Sequence, residues 1–149
     1  MAVQPIPEGF HTVTPYLSVE GAKEFVDFLK RAFSAEEIFI HPTPDGGVGH
    51  AQLRIGDSMI MLGEVMEPQR PTPASLYLYV PDADAVYHQA VAAGGMSLME
   101  PTDMFYGDHH GGVRDAWGNQ WWIATHIRDV GPEELQKAAE EHRRQAQPA

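Results

Sequence analysis

The chain has no cysteine, which excludes disulfides, thiolate metal sites and cysteine nucleophiles. It is also short of basic charge: 10 Lys and Arg stand against 21 Asp and Glu, a formal net charge of −11 at pH 7. A nucleic-acid binder needs a basic footprint, so nucleic acid is not an expected partner. Many of the acidic residues lie in helical stretches, above all near the C-terminus, where they serve solubility. No apolar run is long enough to span a bilayer, so no membrane partner is expected either. The N-terminal Met1-Ala2-Val3-Gln4-Pro5 lacks a basic region followed by an apolar core and does not read as a secretion signal. The expected location is the cytoplasm.

What the sequence does contain is a repeat. Tyr16-Leu17-Ser18-Val19, followed by Ala22, returns as Tyr77-Leu78-Tyr79-Val80, followed by Ala83, at an offset of 61 residues. The same offset carries Ile60-Met61-Leu62 onto Trp121-Trp122-Ile123. A fixed offset across strand, helix and strand means two copies of one supersecondary unit. At 149 residues these make one domain or two very small ones, and two copies that share a core bury more than either alone.

Period-two alternation predicts a strand over Thr12–Val19, and a helical apolar stripe of Ala22, Phe25, Val26, Leu29 and Phe33 predicts a helix from Glu20 to Phe33. Strands are expected over Glu36–His41, Gly49–Ile55 and Ser58–Gly63, with turns at Pro44-Asp45-Gly46-Gly47 and Gly56-Asp57. The proline-rich stretch from Glu67 to Pro73 is a linker. The second unit is expected as a strand over Ser75–Val80, a helix over Ala83–Ala93 capped by Asp82, and a strand within Met96–Phe105. A Gly-, Asp- and His-rich loop follows over Tyr106–Gly112, then a short strand over Val113–Asp115 and a last strand over Gln120–His126. Pro132 to Arg144 reads as a C-terminal helix, with Pro132 at its start, Glu133 and Glu134 at its positive end and Arg143 and Arg144 at its negative end. The division is a single domain over 1–149: module one over about 10–64, a linker over about 65–74, module two over about 75–126 and the helix over about 132–145.

The order βαβββ–βαβββ, the Gly56-Asp57 turn and Asp115-Ala116-Trp117-Gly118-Asn119 before the last strand resemble the vicinal-oxygen-chelate superfamily, which includes glyoxalase I, bleomycin-resistance proteins and extradiol dioxygenases. The stretch from His50 through Gly56-Asp57-Ser58 to Leu62, and Trp121-Trp122-Ile123-Ala124-Thr125-His126, look like the PhnB-like branch. The resemblance implies an α+β fold in which two modules curve into a U-shaped mixed sheet, helices cover the convex side and the concave side binds a small molecule. It also implies a homodimer whose sites combine modules from both subunits.

Many members hold a divalent metal at four concave positions, on the first and last strand of each module, usually with His and Glu. By the spacing to Val19 and Val80 those positions fall here on Thr14, Met61, Ser75 and Trp122. Two hydroxyls, a thioether and an indole are not a divalent-metal set, and shifting the register by one residue does not supply one. No metal and no other cofactor is expected.

If Ile60, Leu62, Leu76, Leu78, Trp121 and Ile123 face the helices, the alternate residues face the cavity: Thr14, Tyr16, Ser18, His50, Gln52, Arg54, Met59, Met61, Ser75, Tyr77, Tyr79, Gln120, Trp122 and His126. From these, Tyr16, Gln52, Arg54, Met61, Tyr77, Tyr79 and Trp122 are the candidate ligand contacts. His50 is the candidate for acid–base work, histidine being the residue type whose free side chain titrates near neutrality. The plainer reading makes His50 and Arg54 exposed strand residues, and a dimer interface would also bury the aromatic set. His109-His110 are expected on a loop flanking the pocket rather than in a metal centre. Asp115 and Asn119 are expected to bond turn backbone, and Trp117 to pack.

Three functions compete. The first is metal-free binding of a still unknown small molecule, of the bleomycin-resistance type. The second is an enzyme of the same superfamily (lyase, isomerase or dioxygenase), metal-free or with metal at unusual positions. The third is a non-catalytic structural or interaction role.

Overall fold

The computed structural model describes residues 2–147. Module one comprises β1 (Tyr16–Val19), α1 (Ala22–Phe33), β2 (Glu36–Pro42), β3 (Val48–Ile55) and β4 (Ser58–Glu64). Module two repeats the order with β5 (Ser75–Tyr79), α2 (Ala83–Ala92), β6 (Met96–Asp103), β7 (Asp108–Arg114) and β8 (Gln120–His126), and α3 (Pro132–Ala146) closes the chain. Each module forms a four-stranded mixed sheet, in the orders β1-β4-β3-β2 and β5-β8-β7-β6. The first strand of each pairs parallel to the last, and the other pairings are antiparallel. The α+β architecture of two βαβββ modules is thus as expected, its strands held in two separate hydrogen-bonded ladders.

The helices fix which sheet face is buried. On α1, Ala22, Phe25, Leu29 and Ala32 are fully buried while Lys30 and Arg31 are exposed. That stripe meets Leu17, Val19, Ala51, Leu53, Ile60 and Leu62, each at most 5% exposed. Burying one such Leu or Phe contributes about 1.5–3 kcal/mol. In module two, α2 lies over Val113, Trp121 and Ile123, and the two half-cores form one cluster. The seam between them is aromatic: Trp117 packs on Phe25 at 4.8 Å and Phe28 at 5.8 Å, and Phe33 meets Trp121 at 4.7 Å. Trp117 Nε1 also donates to the Glu20 carbonyl across the seam at 2.7 Å.

The last strand of each module caps its own helix. The Glu64 carboxylate accepts from the Gly21 and Ala22 amides at 3.0–3.1 Å, at a helix start where Gly21 itself offers no side-chain cap. Thr125, at the repeat-equivalent position, accepts from Ala83 N at 2.9 Å and donates to the Val80 carbonyl at 2.8 Å. Asp82 supplies the second α2 cap by accepting from Ala85 N.

Two elements differ from expectation. The first strand begins at Tyr16 rather than Thr12: Pro15 has no N–H to pair, Val13 is 83% exposed, and the Thr14 hydroxyl turns back to the His11 carbonyl. The loop expected over Tyr106–Gly112 is for the most part strand, since β7 runs from Asp108 to Arg114. Its glycines are there for close approach rather than mobility. A Cβ on Gly111 would sit 2.9 Å from the Met99 carbonyl oxygen, and one on Gly112 would enter the Trp122 ring. Among the described residues no helix is long and apolar enough to cross a membrane.

Removing either strand-to-helix cap should cost about 1 kcal/mol. Glu64→Ala and Thr125→Val are each expected to lower the unfolding free energy by that amount, read as a lower denaturation midpoint with an unchanged m-value. An unchanged midpoint in both variants would contradict the capping role.

Candidate functional site

The face turned away from the helices carries the predicted site residues. In module one the register sets Tyr16, Met61 and Gln52 side by side, and Ser18, Gly63 and His50 in the next row. Gly63 seats the Tyr16 ring, since a Cβ there would collide with its hydroxyl. The Tyr16 and His50 rings stack at 5.7 Å, with the hydroxyl 3.3 Å from His50 Nδ1. Gln52 Nε2 lies 3.4 Å from His50 Nε2, and Phe39 approaches the same ring at 6.4 Å. Both polar contacts are long, so His50 is loosely held and no carboxylate backs it. Arg54 stands exposed one row away and forms no ion pair among the described residues. Met59, expected on this face, is 6% exposed and lies close under Gly9.

Module two is more tightly organised. The register sets Tyr77 beside Trp122 and Gly112, Tyr79 beside Ala124 and His110, and Asp108 beside His126. Asp108, only 2% exposed, is the hub. Its Oδ2 accepts from the Tyr77 hydroxyl at 2.8 Å and the Tyr79 hydroxyl at 2.9 Å, and its Oδ1 from His126 Nδ1 at 2.8 Å. His126 Nε2 reaches Asp129 at 2.7 Å. His110 Nδ1 lies 2.7 Å from the Tyr106 hydroxyl and 3.0 Å from that of Tyr77. The Trp122 ring lies flat over Gly112, donates through Nε1 to Ser75 Oγ at 3.1 Å, and flanks His110 at 5.7 Å.

These contacts set the charge states. Burial pushes the Asp108 carboxyl up, but hydrogen bonds from His126, Tyr77 and Tyr79 outweigh it and hold the pKa below the usual carboxylate value. Burial first, then the bond to Asp108, drives the Tyr77 phenol far above its ordinary range. Tyr79 rises through its bond to Asp108, and Tyr106 through burial. Burial lowers His110, whereas Asp129 and then Asp108 raise His126. His109 points the other way along the strand, to Asp84 and Asp103 at 3.0 and 2.7 Å, and is raised by both.

The structure therefore brings Tyr16, His50, Gln52 and Met61 together in one module, with Arg54 one row away, and Tyr77, Tyr79 and Trp122 together in the other. No hydrogen bond or ring contact among the described residues joins the two sets. Sequence reasoning missed Tyr106, Asp108 and His110 by treating them as loop. The available signal was the alternation Asp108–His110–Gly112 ahead of the Asp115–Asn119 turn, which repeats the strand–turn–strand pattern before Gly56-Asp57. That turn behaves as expected: Asp115 Oδ1 accepts from the Trp117 and Asn119 amides, and Asn119 Oδ1 accepts from Ala74 N. An apolar groove of about 640 Å3 runs between the Gly56 turn and β5, with Leu76, Leu78, Val86 and Trp121 in its wall. Of the Asp108 cluster, Tyr77 and Tyr79 also line it, whereas Asp108, His110 and His126 do not.

The four superfamily metal positions do not fit a divalent cation. Thr14 lies ahead of β1 with its hydroxyl given to backbone, Ser75 Oγ accepts the Trp122 indole N–H, and Met61 offers a thioether. Among the described residues no three His, Asp or Glu side chains gather so as to hold a metal ion.

Paired βαβββ modules, with helices on one side and polar–aromatic faces on the other, define a two-module α+β scaffold as the class. Within it, the chain belongs to the Glyoxalase/Bleomycin resistance protein/Dioxygenase superfamily, whose family model matches residues 9–123. An uncharacterised protein of Mycobacterium bovis is 34% identical over 137 residues, covering 85% of this chain and 90% of the relative. The PhnB protein of Bacillus cereus is 26% identical with a TM-score of 0.61, covering 77% of this chain and 99% of that one. TioX from a Micromonospora species shares the fold at 24% identity and a TM-score of 0.65, covering 77% of this chain and 99% of that one.

Histidine-resolved NMR titration should place the His126 midpoint above the ordinary value of 6.5 and that of His110 below it. The raised His126 value contributes stability that is present below 6.5 and lost as the pH rises through the folded value. The lowered His110 value acts oppositely, its contribution being present above 6.5 and lost as the pH falls through the folded value. Asp129→Asn should bring the His126 midpoint down. Coincident midpoints for the two histidines would contradict the network.

Proposed function

We propose that this protein binds a small molecule on the outer faces of its sheets, without the divalent metal common in its superfamily, as a cytoplasmic homodimer in which a second copy closes those faces. The observation that carries this reading is a set of aromatic rings left open on faces where the neighbouring polar atoms are held in place. Tyr16 is 54% exposed, Tyr79 65% and Phe39 49%. Leaving such rings wet is costly, whereas a ligand or a second sheet face covers them. The Tyr77 and Tyr79 hydroxyls are meanwhile locked on Asp108, and Trp122 is locked by Ser75 and Gly112. Fixed polar groups among apolar surface are what a small-ligand site requires. His50, Gln52 and Arg54 supply the polar contacts of module one, beside Tyr16 and Met61.

Thermal-shift screening against metabolites and antibiotics tests the binding. A ligand present at a hundred times its Kd stabilises by about 2.7 kcal/mol, a shift of several degrees for a chain of this size. Tyr16→Ala or Trp122→Ala should remove most of the response to such a ligand while leaving far-UV circular dichroism unchanged. A broad screen without a hit, together with monomeric behaviour in light scattering, would refute this reading.

A further inference from the structure

Two phenol oxygens lie close to one nitrogen, His110 Nδ1, at 2.7 and 3.0 Å. The Tyr77 proton is already committed to Asp108. A bare Nδ1 would therefore face the Tyr77 oxygen lone pair to lone pair, with only Tyr106 able to donate to it. A proton on Nδ1, shared between the two oxygens, accounts for both contacts. Neutral His110 then carries its free lone pair on Nε2. That atom makes no hydrogen bond among the described residues, and no buried side-chain nitrogen or oxygen among them lacks a partner. Nε2 is thus unpartnered and not fully shut off from the surface, on a residue that is 7% exposed. Beside it stands the flat, fixed ring of Trp122.

We propose that His110 is the general base of a proton-abstracting site in module two, backed through Tyr77 by Asp108, and that its ligand is a planar weak acid, a phenol or an enol. The proposal rests on the reading of the outer face as a ligand surface and goes beyond it by assigning a reaction. The ligand O–H bond breaks, its electron pair stays on the ligand oxygen and the proton passes to Nε2. The imidazolium so formed keeps its Nδ1–H on the Tyr77 and Tyr106 oxygens. Tyr77 keeps its own proton on Asp108, whose negative charge works against the burial that disfavours the imidazolium. This is the arrangement of a base oriented by a third group, here with a phenol between carboxylate and imidazole. The ligand must reach the site neutral, because Asp108, Asp129 and a net charge of −11 disfavour a carboxylate. Its flat body has the Trp122 face and the exposed Tyr79 ring to lie against. The charged or titratable groups around His110 are Tyr77 and Tyr79 from β5, Tyr106 ahead of β7, Asp108 and His109 on β7, and His126 with Asp129 at the end of β8.

Two measurements test the proposal. Long-range nitrogen-15 correlation spectra of the free protein should show His110 as the Nδ1–H tautomer; an Nε2–H tautomer overturns it. With 4-nitrophenol as probe, at a pH below its own ionisation midpoint, the wild-type protein should generate the phenolate absorption band. His110→Gln should abolish the band, and Tyr77→Phe, which keeps the imidazole, should weaken phenolate formation roughly tenfold. His88→Gln, on α2 away from the site, should leave the band unchanged. Circular dichroism confirms the fold of each variant. If the probe raises Tm but no band appears, proton abstraction falls and ligand binding stands. If it does neither, a phenol ligand is overturned here, and the broader ligand screen decides the binding reading separately.

Discussion

Helix α1 is held to the second module by two tryptophans, and the exposed chemistry of the molecule follows from that seam. Trp117 and Trp121 are bulky enough to fill the space between modules, and each indole N–H has a partner, the Glu20 carbonyl for one and Asp115 for the other. With Phe25, Phe28 and Phe33 committed to them, the helix side of both sheets has no freedom to invert. Strand parity then decides the rest. Because Leu17 and Ile123 must point inward, Tyr16 and Trp122 must point outward. The outer faces are thus a consequence of the core, and the side chains on them are free of packing duty and available for chemistry.

Much of this could be read from the sequence, for physical reasons that differ by element. The repeat was legible because each copy needs the same inward residues at the same parity. The helix caps were not legible in it: Glu64 and Thr125 stand at equivalent positions, but only the structure shows them closing the same amide gap by different chemistry. Where local composition pointed against the tertiary environment, the sequence misled. Gly111 and Gly112 read as loop, yet they are strand residues whose missing side chains admit the Met99 backbone and the Trp122 ring. The hub was hidden with them. An aspartate flanked by glycine and histidine carries no local sign that it will be buried under two tyrosines contributed by a strand thirty residues earlier.

The two modules share a scaffold and differ in how their outer faces are used. Tyr16 corresponds to Tyr77 and Met61 to Trp122, but only module two has a carboxylate behind its aromatic row. In module one His50 is touched by two long contacts. In module two His110 sits at short range between phenols, one of which is fixed by Asp108. Duplication supplies the framework twice, and the titratable groups are concentrated on one copy.

A buried carboxylate is a poor device for stability, since taking it from water costs several kcal/mol that its partners only repay. Asp108 makes three hydrogen bonds on a face where apolar side chains would have packed at lower cost. Its position does more: it sets two phenol hydroxyls from β5 and, through one of them, an imidazole on β7, across the intervening β8, where strand geometry permits little drift. At the positions where the family resemblance would put a metal, the indole of Trp122 donates to the hydroxyl of Ser75, and an indole, a hydroxyl and the thioether of Met61 are poor ligands for a divalent cation. The ordered polar groups of this face stand one row along from those positions, and that row is Tyr79 and His110 with the carboxylate that orders them.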